Sequence, residues 1–135
     1  MIKNILNYRN IAVVGISEKP ERPSYMVASF LEEHGYNIIP VNPKLTEWKG
    51  KKCYPDLLSI PFKVEVVDIF RRPEFILPIV EEAIQIKAKA IWMQEGIVNE
   101  EAAKKAIQAG IEVVMDKCMK KEYLKLSINN DDIKP

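Results

Sequence analysis

Five short runs of apolar, largely β-branched residues, each separated from the next by a stretch with helical spacing, constrain this chain more than any other feature. The runs are 11–15 (IAVVG), 36–42 (YNIIPVN), 64–70 (VEVVDIF), 89–94 (KAIWMQ) and 111–116 (IEVVMD). A parallel sheet is covered by helices on both faces, so its strands read as near-continuous apolar runs and its crossovers as amphipathic helices. The expected class is therefore α/β: a Rossmann-like open parallel five-stranded sheet, order 3-2-1-4-5, with helices on both faces. Met26, Val27, Phe30 and Leu31 share one face of a first helix that Gly35 stops. Pro73 opens a second helix whose buried stripe is Ile76, Ile79, Val80, Ala83 and Ile84, with Pro78 leaving its start open. Asn99 caps a third, which buries Ala102, Ala103, Ala106 and Ile107 and ends at Gly110. A last helix follows Asp116 and runs to about residue 126. The segment 43–63 carries Pro43, Pro55 and Pro61 and is expected to be irregular, with one short helical turn at 56–59. These elements make one domain over 1–126, followed by a polar tail, 127–135 (SINNDDIKP).

A length of 135 residues suits one domain, and 47% hydrophobic with 29% charged residues supports a packed core. Twenty basic residues against 19 acidic leave no surplus for the phosphate backbone of a nucleic acid. No apolar run approaches the roughly 18 residues of a membrane span, and the N-terminus lacks the apolar block of a signal peptide. A cytoplasmic location with no membrane partner is the expectation. Cys53 and Cys118 stand 65 positions apart, with no CxxC and a single His, which argues against a disulfide framework or a metal site.

Open parallel sheets bind ligands outside the carboxyl ends of their strands, where the strand order reverses. Gly35 and Gly110 act as helix stops and Gly50 sits in the irregular segment, so Gly15 and Gly96 remain as site glycines. Ser17 and Pro20 stand where a Gly-x-Gly-x-x-Gly fingerprint needs its later glycines, and Asn42 and Pro43 replace the acid that would hold a ribose hydroxyl. NAD is disfavoured on both counts. The loop 16–23 (ISEKPERP) instead runs into a helix N-terminus near Ser24, which suits a phosphate; a surface loop with a Ser cap is the plainer alternative. Only 4 of the 20 basic residues are arginine, and three of them, Arg22, Arg71 and Arg72, fall at this same edge. A guanidinium fork matches phosphate and stacks on flat rings, whereas a solvated turn before Pro73 needs neither. Cys118 precedes the last helix, where a dipole favours thiolate, although a Cys is often a plain buried hydrophobe. His34 fits a helix-end cap rather than a catalyst. Trp92 and Met93 read as core, and Trp48, among Lys44, Lys49, Lys51 and Lys52, as a less buried ring able to cover a base. Glu95 as a general base has no identifiable partner.

Taken in order, Gly15-Ile16-Ser17, Pro23-Ser24, Pro40-Val41-Asn42-Pro43, Phe70-Arg71-Arg72-Pro73 and Gln94-Glu95-Gly96-Ile97 resemble the motifs of the stand-alone CoA-binding domain family over residues 9 to about 122. The fold is similar to that of the N-terminal domain of the succinyl-CoA synthetase α subunit, whose strand-following loops surround the ADP portion of CoA. The resemblance implies that Gly15, Ser17 and Ser24 approach the phosphates, that Asn42, Pro43 and Lys44 line a second loop, Phe70, Arg71 and Arg72 a third, and Gln94 and Gly96 a fourth. Lys19, Arg22 or Lys44 is then available to the 3′-phosphate. The synthetase's phosphorylated histidine belongs to a further domain outside this sequence, so thiokinase chemistry is not implied. The expected function is non-catalytic binding of coenzyme A or an acyl-CoA through its ADP moiety. Two alternatives remain open: a CoA-presenting subunit of a multi-chain acyl-CoA enzyme, and a NAD- or nucleotide-responsive interaction module. A protein partner is compatible with each.

Overall fold

The computed structural model describes residues 1–129. The elements, in chain order, are α1 (Ile2–Leu6), β1 (Asn10–Val14), α2 (Pro23–Glu33), β2 (Asn37–Val41), β3 (Glu47–Trp48), β4 (Lys51–Lys52), β5 (Val66–Ile69), α3 (Ile76–Gln85), β6 (Ala90–Met93), α4 (Glu100–Gln108), β7 (Glu112–Val114) and α5 (Met119–Asn129). Five of the strands form one parallel sheet in the order β2-β1-β5-β6-β7. The α/β class, the five parallel strands and the helices on both faces are as expected. The strand order is not: counted along this sheet it is 2-1-3-4-5 rather than 3-2-1-4-5.

Two physical reasons place β5 at the centre. All four of its residues are buried, and it pairs with β1 on one side and with β6 on the other. The outer edge of β2 is also taken at its carboxyl end, because Tyr54 bridges to Val41: the Tyr54 N–H donates to the Pro40 carbonyl at 3.0 Å and the Asn42 N–H donates to the Tyr54 carbonyl at 2.9 Å. A third strand has no free edge there and must pair with β1 on the other side.

The side-chain alternation of the strands sorts the core into two layers. Ile11, Val13, Val66, Trp92 and Val114 face α1, α2 and α5, where Leu6, Val27, Leu31, Met119 and Tyr123 pack on them. Ala12, Val14, Val67, Ile69, Ile91 and Met93 face α3 and α4, against Ile76, Val80, Ala83, Ala102 and Ala106. Met26 and Ile107 depart from their expected buried stripes and are exposed. Each lies to the side of the stripe that touches the sheet, namely Val27, Ala28 and Leu31 in α2 and Ala102, Ala103 and Ala106 in α4. Asn99 caps α4 as expected, its side-chain oxygen accepting from the Ala102 N–H at 2.9 Å.

Segment 43–63 has the expected short turn, a 3-10 helix at Leu57–Ser59 whose cap, Asp56, accepts from the Ser59 N–H. It also holds an unexpected hairpin, β3 with β4, closed by Lys49 and Gly50. Both turn residues have positive φ (48° and 80°), the geometry a two-residue hairpin turn demands. Pro78 falls in the first turn of α3, after a 3-10 turn at Pro73–Phe75, where its missing N–H leaves no bond unmade. α1 was not marked by any periodicity, being five residues long. α5 extends three residues past the expected end, and residues 130–135 of the expected tail lie outside the described residues. No helix among the described residues is long and apolar enough to cross a membrane.

Candidate functional site

In a 2-1-3-4-5 sheet the order reverses between β1 and its neighbour β5, with α2 on one face and α3 and α4 on the other. Outside the carboxyl ends of those strands lies a cleft of about 490 Å³. The segment after β1 contributes Gly15, Ser17, Arg22, Pro23 and Ser24, and the segment after β5 contributes Phe70, Arg71, Arg72 and Pro73. Gln94, Glu95, Gly96 and Ile97 follow β6, while Val27 of α2 and Cys118 just before α5 complete the wall.

The first loop is held by its own polar groups. The Ser17 N–H donates to Ser24 Oγ at 2.9 Å, and the Lys19 N–H donates to Ser17 Oγ at 3.0 Å. From behind, Asn42 Nδ2 donates to the Ile16 carbonyl at 2.8 Å and Trp48 Nε1 donates to the Ser17 carbonyl at 2.9 Å. Trp48 is therefore not a cover for the site: it is 1% exposed and forms the loop's backing. Asn42 likewise spends its amide on Ile16 and on the Lys44 N–H (2.8 Å). Lys19, Asn42, Pro43 and Lys44 stand off the cleft wall, Lys19 and Lys44 exposed on the adjoining loops and Pro43 in a smaller recess of about 140 Å³.

Gly15 lines the cleft for a reason other than room for a ligand. At φ +86° a β-carbon would overlap the Phe70 carbonyl oxygen and come within 2.9 Å of Arg71 Cδ, so the glycine permits the close approach of the loops after β1 and β5. Gly96 has open space at the same position and donates its N–H to Asp116 Oδ1 at 2.7 Å. The arginines are the unusual feature. Arg22, Arg71 and Arg72 form no ion pair among the described residues; Arg71 and Arg72 instead rest at 4.7 and 5.6 Å from the ring of Phe75. Glu95, the acid in the wall, is paired to Lys121 at 3.0 Å.

A family model described as CoA binding domain matches residues 9–123. The chain belongs to the CoA-binding domain family. This CoA-binding domain is 42% identical over 120 residues to the uncharacterized protein YneT of Bacillus subtilis, covering 88% of this chain and 89% of that one. A solved structure of a hypothetical protein from Pyrococcus horikoshii OT3 superposes with a TM-score of 0.91 at 48% identity, over 93% of this chain and 89% of that chain. The alpha subunit of acetate–CoA ligase (ADP-forming) I of Pyrococcus furiosus is 32% identical over 96 residues, which are 67% of this chain and 21% of that subunit. The CoA-binding domain thus spans about a fifth of the ligase subunit's length.

Beneath the cleft, the CoA-binding domain holds a group that sequence reasoning missed. Asp68, in the middle of β5, is fully buried, and burial pushes its carboxyl up to about 7 against the opposing pull of the Gln94 amide. Gln94 Nε2 donates to Asp68 Oδ1 at 2.5 Å, and Gln94 Oε1 accepts from the Met119 N–H at 3.4 Å. Asp68 Oδ2 has no partner. Gln94 is therefore a strut between β5 and the start of α5 as well as part of the wall. The signal was present in the sequence: an acid inside the apolar run VEVVDIF. His34 ends α2, its Nδ1 donating to the Phe30 carbonyl at 2.7 Å, in keeping with a cap. No group of three or more metal-ligating side chains is gathered among the described residues.

Proposed function

We propose that the protein binds coenzyme A or an acyl-CoA through the ADP moiety at this cleft, and that it holds the ligand without turning it over. The observation that carries the reading is the meeting of Arg22, Arg71 and Arg72 at the switch-point cleft with no ion pair to a carboxylate among the described residues, the Glu95 of the wall being held by Lys121. Unpaired guanidinium forks beside a helix start favour a multiply charged phosphate ester, and the cleft volume falls in the ordinary range of small-molecule sites. Gly15, Ser17, Ser24 and Gly96 bring backbone close to the phosphates, Phe70 and Gln94 shape the floor, and Lys19, Arg22 or Lys44 serves the 3′-phosphate. Asn42 and Pro43 act from behind by fixing the first loop.

The test is calorimetric titration of ligand-stripped protein with CoA, acetyl-CoA, dephospho-CoA and NAD at one salt concentration. CoA is expected to bind more tightly than dephospho-CoA by about tenfold to a hundredfold, since a hydrogen bond to a charged group contributes roughly 1.5 to 3 kcal/mol. NAD is expected to be weaker still; NAD binding more tightly than CoA would overturn the reading in favour of a nucleotide-responsive module. The similarity to a ligase alpha subunit favours a second reading, a subunit that presents CoA to a catalytic partner chain. Co-purification of a stable partner that confers ligase activity is the outcome that selects it.

A further inference from the structure

We infer that Asp68 is a positioning residue of the cleft: acting through Gln94, it tunes the affinity for an anionic ligand and takes up a proton when that ligand binds. The inference rests on the cleft being a site for phosphate-bearing ligands. A carboxyl in the central strand, with one oxygen lacking any partner, costs stability that an apolar residue of similar size would not. Its side-chain hydrogen-bond partner, the Gln94 amide, is itself part of the cleft wall and also receives the first N–H of α5. One carboxamide thus separates a buried carboxyl from the space where anionic charge is to be placed.

The other carboxylate hydrogen-bonded to a cleft residue, Asp116, which accepts from the Gly96 N–H, is exposed, whereas Asp68 is fully buried. Across the register from β1 and β6, Asp68 meets Val13 and Trp92. On the same face α2 brings Ser24 and Val27 to the cleft and carries its acids, Glu32 and Glu33, at its far end. Around the start of α5 stand Cys118, Lys120 and Lys121, the last held by Glu95, and the cleft adds Arg22, Arg71 and Arg72. Burial and the Gln94 amide are the two influences on Asp68's acidity, and they leave it near neutrality. An anion entering the cleft disfavours a second negative charge beneath it, so binding raises the proton affinity of Asp68 and affinity falls as pH rises.

The experiment titrates wild-type protein with dephospho-CoA, chosen because it lacks the phosphomonoester that titrates on its own near pH 6. Titrations at pH 7 in two buffers of different ionisation enthalpy read proton uptake directly. Wild type is expected to take up a fraction of a proton, and a tenfold rise in the proton affinity of Asp68 makes binding about fivefold weaker at pH 8 than at pH 6. Asp68→Asn should bind with no uptake and a flat profile, whereas Cys118→Ser should keep the pH dependence whatever it does to affinity. PH dependence that persists in Asp68→Asn, or vanishes in Cys118→Ser, overturns the inference. Should Asp68→Asn fail to fold, the carboxyl carbon shift of Asp68 in wild type decides: a titration midpoint unmoved by dephospho-CoA also overturns it. Binding without pH dependence defeats this inference alone, while no binding of CoA or dephospho-CoA at any pH defeats it together with the proposed function.

Discussion

Gly15 holds φ +86° with the Phe70 carbonyl where a β-carbon would stand, and that pair of facts sets the cost of replacing it. Backbone cannot yield as a side-chain end can, so Gly15→Ala is expected to lower stability by about 1 to 3 kcal/mol through strain and overlap, visible as a depressed melting temperature before any ligand is added. The missing side chain makes room for the loop after β5, and this holds whether or not a phosphate approaches the Gly15 backbone. Arg71 and Arg72 behave oppositely. They contact the exposed Phe75 ring and no carboxylate, so replacing both with Ala should leave the melting temperature of the free protein within about 0.5 kcal/mol-equivalent while weakening CoA by at least about 1.5 to 3 kcal/mol, measured by calorimetry. Asp68 predicts a pH profile of stability. Its folded carboxyl is raised from an ordinary 3.8 to about 7, so above pH 4 the unfolded chain releases a proton that the folded chain still holds. Stability therefore falls from about pH 4 to about pH 7 and levels off beyond, by on the order of 4 kcal/mol. Asp68→Asn should remove that component from denaturant titrations across the same range.

Helix α4 shows how an element can support the site without touching it. Asn99 both caps α4 through its side-chain oxygen and donates its Nδ2 to the Pro73 carbonyl at 2.9 Å, tying the start of α4 to the loop that carries Arg71 and Arg72. Asn99→Ala should cost about 1 kcal/mol in denaturant midpoint from the lost cap, whereas Asn99→Asp keeps the cap and loses only the strut. If the strut positions the arginine loop, Asn99→Asp retains most of the stability but weakens CoA binding; calorimetry on the two variants separates these effects. The cap was readable because Asn99 precedes an amphipathic run by one residue. The strut was not, since its partner lies 26 residues earlier. The same limit explains β3 and β4. Glu47–Trp48 and Lys51–Lys52 are too short for a periodicity, and Lys49, not a usual turn residue, takes positive φ because Gly50 completes the turn.

For the whole molecule, a ligand that binds only the folded state stabilises it by mass action, so CoA at a hundred times its Kd should add about 2.7 kcal/mol and raise the melting temperature by on the order of 10 °C. Dephospho-CoA at the same concentration should raise it less, and a scanning fluorimetry series read against the calorimetric affinities checks both. The sequence alone determined the α/β class, the five parallel strands, the helices on both faces and the edge of the sheet where the cleft opens. Each follows from local periodicity, from Gly35 and Asn99 at helix ends, and from the ordered motifs around Gly15, Arg71 and Gly96. Tertiary structure decided the strand order, because Tyr54 bridges to the outer edge of β2 at Val41 and β5 pairs with both β1 and β6. It also decided what individual residues do: Trp48 backs the loop, Gly15 admits the Phe70 backbone, and Gln94 joins Asp68 to α5. Those roles depend on contacts across 25 to 55 positions of chain, and no local pattern encodes which distant backbone will arrive beside a side chain.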